Sequence, residues 1–307
     1  MNRSEAEMGT LEKSGLYLRI VTLMAFIGSV VAGAALGVGC GMPPYDESAV
    51  EAMLNGVGKP IFHETIVGDR AIYYAETGSP DKPLVVFIHG TPGSWRGFGQ
   101  YLAEESLRRR AHLIAVDRPG FGRSGHKQVV TSLSKQAAYI AHLLQRDFTG
   151  HRAILVGHSL GASIAARLAM DQPDLVEGLV LVAPSIDPKL EKPRWYNRLA
   201  DNRFVRWVLP TDLSLANQEV MPLYSELSQM LPLWQRLSKP VIVIQGGKDR
   251  LSSPANADFA ANVLGTRARI IRVPQAGHFI IWKQSAIIVD AILSLLEKRG
   301  HPRVATD

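Results

Sequence analysis

Short, unbroken apolar runs recur along this chain between amphipathic stretches, and they limit the fold more than any other feature. The run 84–89 reads LVVFIH, and 112–117, 153–157, 179–183, 241–245 and 268–273 repeat the pattern. Runs this short with no polar face are what strands buried on both sides of a sheet look like. Between them lie helical patterns. The stretch 133–148 places Ala137, Ile140, Ala141 and Leu144 on one face, and 160–170, 255–264 and 285–296 are similar. Strands alternating with helices predict an α/β fold: a mostly parallel central sheet with helices on both faces. Ahead of them, 61–67 and 71–77 flank Gly68-Asp69, which predicts a hairpin.

Composition removes the competing classes. Apolar residues make up 46% and charged residues 20% of the 307, which excludes a disordered chain or a coiled coil. Gly and Pro follow no period, so no solenoid is implied. The net charge is +6. Arg3, Lys13 and Arg19 are balanced by Glu5, Glu7 and Glu12, so the excess lies in 46–307. It forms no basic stripe, and no nucleic-acid partner is expected. Cys40 is the single cysteine. An internal disulfide is impossible, and without clustered Cys/His or H-E-x-x-H no metal and no cofactor are expected.

The first 45 residues form a separate segment. No charge occurs between Ile20 and Tyr45, and Ile20 to Val38 is apolar or small throughout. In a helix this stretch spans about 28 Å, near the thickness of a bilayer core. The expectation is a membrane tether within 20–40, read in two ways. An uncleaved anchor fits Lys13 and Arg19 before the run and Asp46 and Glu47 after it. A lipoprotein signal fits Leu36-Gly37-Val38-Gly39-Cys40, which resembles a bacterial lipobox, although Gly37 stands where a large aliphatic is expected. Both place the domain 46–307 outside the cytoplasm, associated with a membrane.

One interval breaks the alternation. From about 186 to 239 no strand pattern occurs, and Pro188, Pro193, Pro210, Pro222 and Pro232 are interspersed with Trp195, Tyr196, Trp207 and Tyr224. This predicts a helical cap inserted over one end of the sheet. Its first part carries Lys189, Lys192, Arg194, Arg198, Arg203 and Arg206 against Asp187, Glu191 and Asp201. A lid with aromatics on an apolar pocket and solvated basic residues is one reading; contact with anionic lipid headgroups is another.

The chemistry centres on Gly157-His158-Ser159-Leu160-Gly161. A buried strand precedes this G-x-S-x-G sequence and a helix of small residues follows it. That is the setting of a serine on a strained strand-to-helix turn, where flanking bulk cannot be tolerated. Other motifs stand at the ends of other apolar runs: His89-Gly90-Thr91-Pro92-Gly93, Asp117 to Ser124 (DRPGFGRS), Gly247-Lys248-Asp249 and Gly277-His278. Together, from about residue 60 to 297, they resemble the α/β-hydrolase superfamily, in its serine-nucleophile, esterase- and lipase-like branch with a helical lid.

The resemblance implies roles. Ser159 is the expected nucleophile, His278 the base and Asp249 the acid that orients it, with Asp187 as a rival acid. Thr91 and Leu160 would supply backbone N–H groups to an oxyanion hole. His89, Gly90, Gly157 and Gly161 are motif residues with structural roles, and Asp117 is expected to hold its glycine-rich turn. Ser159 argues against haloalkane dehalogenases and epoxide hydrolases of this fold, which place a carboxylate there. The expected function is hydrolysis of a small-molecule ester or lipid-like substrate through an acyl-enzyme. A carbon–carbon bond hydrolase, an amidase or a cofactor-free peroxidase could use the same triad, and a catalytically silent binding module is the non-enzyme alternative. The two tether readings separate in a labelling experiment: Cys40→Ser abolishes metabolic lipid labelling only if Cys40 carries a lipid.

Overall fold

The computed structural model describes residues 47–54, 60–125, 128–148 and 150–299. The expected tether in 20–40 and the boundary near residue 45 lie outside these. Among the described residues, no helix is long and apolar enough to cross a membrane.

Eight strands form one sheet: β1 (Ile61–Val67), β2 (Arg70–Gly78), β3 (Leu84–Ile88), β4 (His112–Val116), β5 (Ala153–His158), β6 (Val176–Val182), β7 (Val241–Gly246) and β8 (Ala268–Val273). Their order is β1-β2-β4-β3-β5-β6-β7-β8. The β1–β2 and β2–β4 pairs are antiparallel, and all later pairs are parallel. Gly68, at φ 62°, turns the β1–β2 hairpin in a conformation glycine adopts without strain.

Every residue of β3, β4, β5 and β7 is buried. Alternate side chains feed two cores. Leu84, Val86, Ile88, Leu155, Leu181 and Val243 face one side. Val85, Phe87, Ile154, Val156, Val180 and Ile244 face the other. The first core is covered by helices Leu133–Asp147, Leu160–Asp171 and Ala255–Leu264. The second is covered by helices Glu47–Leu54, Gly99–Ala103 and Ser285–Arg299. Each large side chain removed from water contributes about 1.5–3 kcal/mol, so the double-sided burial is the main source of stability.

The expected α/β architecture and its cap are present. One strand begins earlier than the pattern indicates: β6 starts at Val176, not Leu179, because Glu177, skipped at a register shift, and Gly178, which pairs with Ile154, interrupt the apolar run. Between β6 and β7 lie helices α1 (Trp195–Ala200), α2 (Arg203–Val208) and α3 (Thr211–Met230). α3 buries Leu215, Glu219, Leu223 and Leu227 at four-residue intervals, one face of a helix.

Glu219 is the charged member of that stripe, and it is buried against a buried cation. The Nη1 and Nη2 atoms of Arg118 donate to its two carboxylate oxygens at 2.7 and 2.9 Å. Nη1 also donates to Gln136 Oε1 at 2.6 Å, and Nη2 to the Gly90 carbonyl at 2.9 Å. Gln136 Nε2 donates in turn to Glu219 Oε1 at 2.8 Å. Arg118 and Gln136 are fully buried and Glu219 is 1% exposed. Removing one partner of such a pair leaves an uncompensated charge in the core. Glu219→Ala is therefore expected to lower stability by about 3–5 kcal/mol, read by chemical denaturation. Glu219→Gln should cost less, because it keeps the acceptor.

Candidate active site

The parallel register brings the strand ends level. Ile88 of β3 lies opposite Gly157 of β5, which pairs with Leu181 of β6. Val182 lies opposite Ile244 of β7, and Gly246 opposite Val273 of β8. The segments after these strands carry His89–Gly93, Ser159, Ser185–Glu191, Asp249 and His278. They emerge along one edge of the sheet, outside the carboxyl ends of its strands.

Ser159 has φ 54° and ψ −123°, between β5 and the helix that begins at Leu160. A conformation this rare costs of order 1–3 kcal/mol and persists only where its surroundings enforce it. The enforcing contacts are visible. A Cβ on Gly157 would lie 2.5 Å from the Gly161 carbonyl oxygen, and one on Gly161 would lie 2.2 Å from the Ile88 carbonyl oxygen. No larger residue fits either place. The Ser159 N–H donates to Val182 O at 3.0 Å, which ties the turn to β6. Ala183, at the end of β6, is the other non-glycine residue with positive φ among those described.

The loop after β3 crosses over the serine. A Cβ on Gly90 would stand 2.9 Å from Ser159 Cβ. His89 fixes this loop from beneath: its Nδ1 donates to the Gly90 carbonyl at 2.7 Å, and its Nε2 accepts the Arg118 N–H at 3.0 Å. That pattern assigns the neutral tautomer. Burial, reinforced by the Arg118 cation, keeps the His89 pKa well below its ordinary value. Thr91 follows directly, with its Oγ1 buried and without a hydrogen-bond partner. Asp117 holds the next turn, accepting the Trp95 and Arg123 N–H groups at 2.8 and 2.9 Å.

Asp249 and His278 meet. His278 Nδ1 and Asp249 Oδ2 are 2.9 Å apart. Asp249 is fixed on its other oxygen by the Leu251 and Ser252 N–H groups, at 2.9 and 2.8 Å. A carboxylate held this way assigns the histidine proton to Nδ1 and leaves Nε2 basic. His158 seats His278 beside the turn: its Nε2 donates to the His278 carbonyl at 3.1 Å, and the ring centroids are 4.9 Å apart. Burial, then the neighbouring His278, push the His158 pKa down to about 3, so His158 is neutral. The rival acid Asp187 is engaged elsewhere, accepting the Lys189 N–H at 2.9 Å.

Sequence reasoning missed two site features. Arg118 stands at a variable position of its motif, and its partner Glu219 lies about a hundred residues away. The signal was present as a carboxylate inside an apolar i, i+4 stripe. Glu191 gave no such signal. It enters from the cap segment and accepts from Asn256 Nδ2 at 3.4 Å. Burial raises its pKa to about 7, while hydrogen bonds from Asn256 and Ser185 and the charge of His278 oppose the shift.

A carboxyl raised in the folded state binds more protons there than in the unfolded chain, so its contribution to stability falls as pH rises from about 4.5 to about 7. Glu191→Gln removes that loss. Its thermal stability should exceed wild type at pH 8 by about 1–3 kcal/mol, with the gain shrinking toward pH 5.

Comparison with known proteins agrees with this architecture. A model described as the alpha/beta hydrolase family matches residues 85–291. Human monoglyceride lipase is 22% identical over 266 residues, covering 76% of this chain and 87% of that protein. A haloalkane dehalogenase from Bradyrhizobium diazoefficiens is 36% identical over 113 residues, which span 36% of this chain and 34% of that protein. Among solved structures, E-2-(acetamidomethylene)succinate hydrolase superposes with a TM-score of 0.61 at 23% identity, covering 78% of this chain and 99% of that one. With the family model matching well over half of its length, this chain belongs to the α/β hydrolase family and is a hydrolase.

Proposed function

We propose that the protein is a serine hydrolase that cleaves a carboxylic ester through an acyl-enzyme. The observation that carries the reading is the 2.9 Å Asp249–His278 contact, in a histidine seated by His158 against the Ser159 turn. A serine hydroxyl is a poor nucleophile at neutral pH and needs an adjacent base. In this reading His278 Nε2 takes the proton from Ser159 Oγ as the oxygen attacks the ester carbonyl. The imidazolium is held by Asp249, whose own lone pairs are already engaged by two backbone N–H groups and which therefore keeps one orientation. Collapse of the tetrahedral adduct expels the alkoxide, which His278 protonates. Water then repeats the sequence and releases the acid.

The oxyanion needs donors that stand in place before charge develops. The Leu160 N–H, at the first position of its helix, and the Thr91 N–H, in the loop that crosses Ser159, are assigned that role. The pinning of Gly90 by His89 and Arg118 supports it, because the donor next along the loop inherits that rigidity. A carboxylate nucleophile, as the dehalogenase-type reaction needs, is absent at position 159. The name of the human relative, monoglyceride lipase, favours an ester of lipid-like character as substrate.

A series of p-nitrophenyl esters from short to long acyl chains tests the reading. Turnover is expected with wild type and is expected to fall by about 10⁴-fold or more in Ser159→Ala. No turnover in either, with no labelling by a fluorophosphonate probe, would overturn it. The acid assignment has its own comparison. Asp249→Asn should lower kcat by about 10⁴-fold, whereas Asp187→Asn should leave it nearly unchanged.

A further inference from the structure

The two short cap helices have an outer surface that the fold does not use. Neither α1 nor α2 contains a buried residue. Trp207 is 87% exposed, Phe204 82% and Trp195 63%, with Val208 and Tyr196 also exposed. The inward positions are Val205 in α2 and Leu209 just after it, both partly buried. Phe204, Trp207 and Val208 share the outward face, at i, i+3 and i+4. Isolated exposed apolar residues are ordinary, but large ones gathered within fourteen positions mark a contact surface.

The exposed charges of this segment are mostly basic. Lys192, Arg194, Arg198, Arg203 and Arg206 are exposed. The acids of the same segment are fewer, and two of the three are partly buried. Glu191 is partly buried against Asn256, and Asp187 accepts a backbone N–H. Asp201 lies 3.8 Å from Arg206. What remains is an excess of exposed guanidinium and ammonium groups in the same segment as the protruding indole and phenyl rings.

We propose that this face of the cap docks on an anionic bilayer surface. Tryptophan, with an amphipathic ring, settles at the boundary between headgroups and acyl chains, and phenylalanine beside it buries its apolar ring just below. Arginine and lysine beside them stay at headgroup level and pair with phosphate. Aromatic tips among basic residues are complementary to such a surface on both counts. The docking rests on the surface alone and does not depend on the ester reading.

Tryptophan fluorescence tests it on the full chain reconstituted into vesicles. Trp95 and Trp234 are buried, and Trp282 is half-buried against His158 and Phe279 with its indole N–H on the Gly97 carbonyl, so brominated acyl chains should quench mainly Trp195 and Trp207. With phosphatidylglycerol present, quenching is expected. It should disappear in the Trp195→Phe/Trp207→Phe variant and drop at least about threefold in Phe204→Ser/Val208→Ser. Arg203→Gln/Arg206→Gln should reduce it to the level seen in phosphatidylcholine alone, as should about 0.5 M salt. Quenching that ignores anionic lipid, or that survives loss of both tryptophans, overturns the proposal. So does a change of oligomeric state in Phe204→Ser/Val208→Ser, by sedimentation in detergent, with quenching intact; that result would assign the face to a second copy. All variants should retain the wild-type melting temperature.

Discussion

A guanidinium with no access to water organises this molecule. Arg118 sits where the turn after β4, the loop after β3, the helix Leu133–Asp147 and the cap helix α3 converge, and it donates to acceptors on the last three. Stripping a cation of its hydration is expensive, and only near-complete satisfaction of its donors makes the position tolerable. The planar fork suits the task. One edge is matched by the Glu219 carboxylate, and the other Nη hydrogens reach the Gly90 carbonyl and Gln136. The position of Gly90 against Ser159 is thus coupled to the seating of a cap helix.

Strain is concentrated at the same edge of the sheet. Ser159 and Ala183 both take positive φ, at the ends of adjacent strands, and backbone hydrogen bonds join the two turns. The Ser159 N–H reaches Val182 O, and the Ser185 N–H reaches back toward Ser159 O at 3.4 Å. Each turn braces the other. The central strands β3, β4, β5 and β7 are buried on both faces, which is the kind of foundation that holds unfavourable backbone in place.

How much of this was legible in the chain depends on range. β3, β4, β5 and β7 announce themselves because burial on both faces keeps polar residues to their ends, and the serine turn does so because its steric demand falls on neighbours two residues away. The early start of β6 was hidden, since Glu177 falls at a register shift and Gly178 pairs without contributing an apolar side chain. The short helices Gly99–Ala103 and Glu105–Arg108 were hidden as well. Each is barely one turn, too brief to display a period. Asp249 and His278 could be named from local motifs, but the contact between them is a property of the sheet register. Glu191 and the Arg118–Glu219 pair are products of tertiary packing, and no window of sequence contains both partners.

The buried carboxylate on α3 also bears on how such a protein can change over time. An insertion between two strands looks like a module, something a lineage could lengthen, exchange or discard without touching the sheet. Here the insertion carries the counterion of a residue rooted in the scaffold. A descendant that lost α3 would inherit an orphaned cation in its interior, and one that replaced Arg118 first would strand an anion. Cap and scaffold are therefore held to a joint history, and a transplanted cap would need its own residue at position 118.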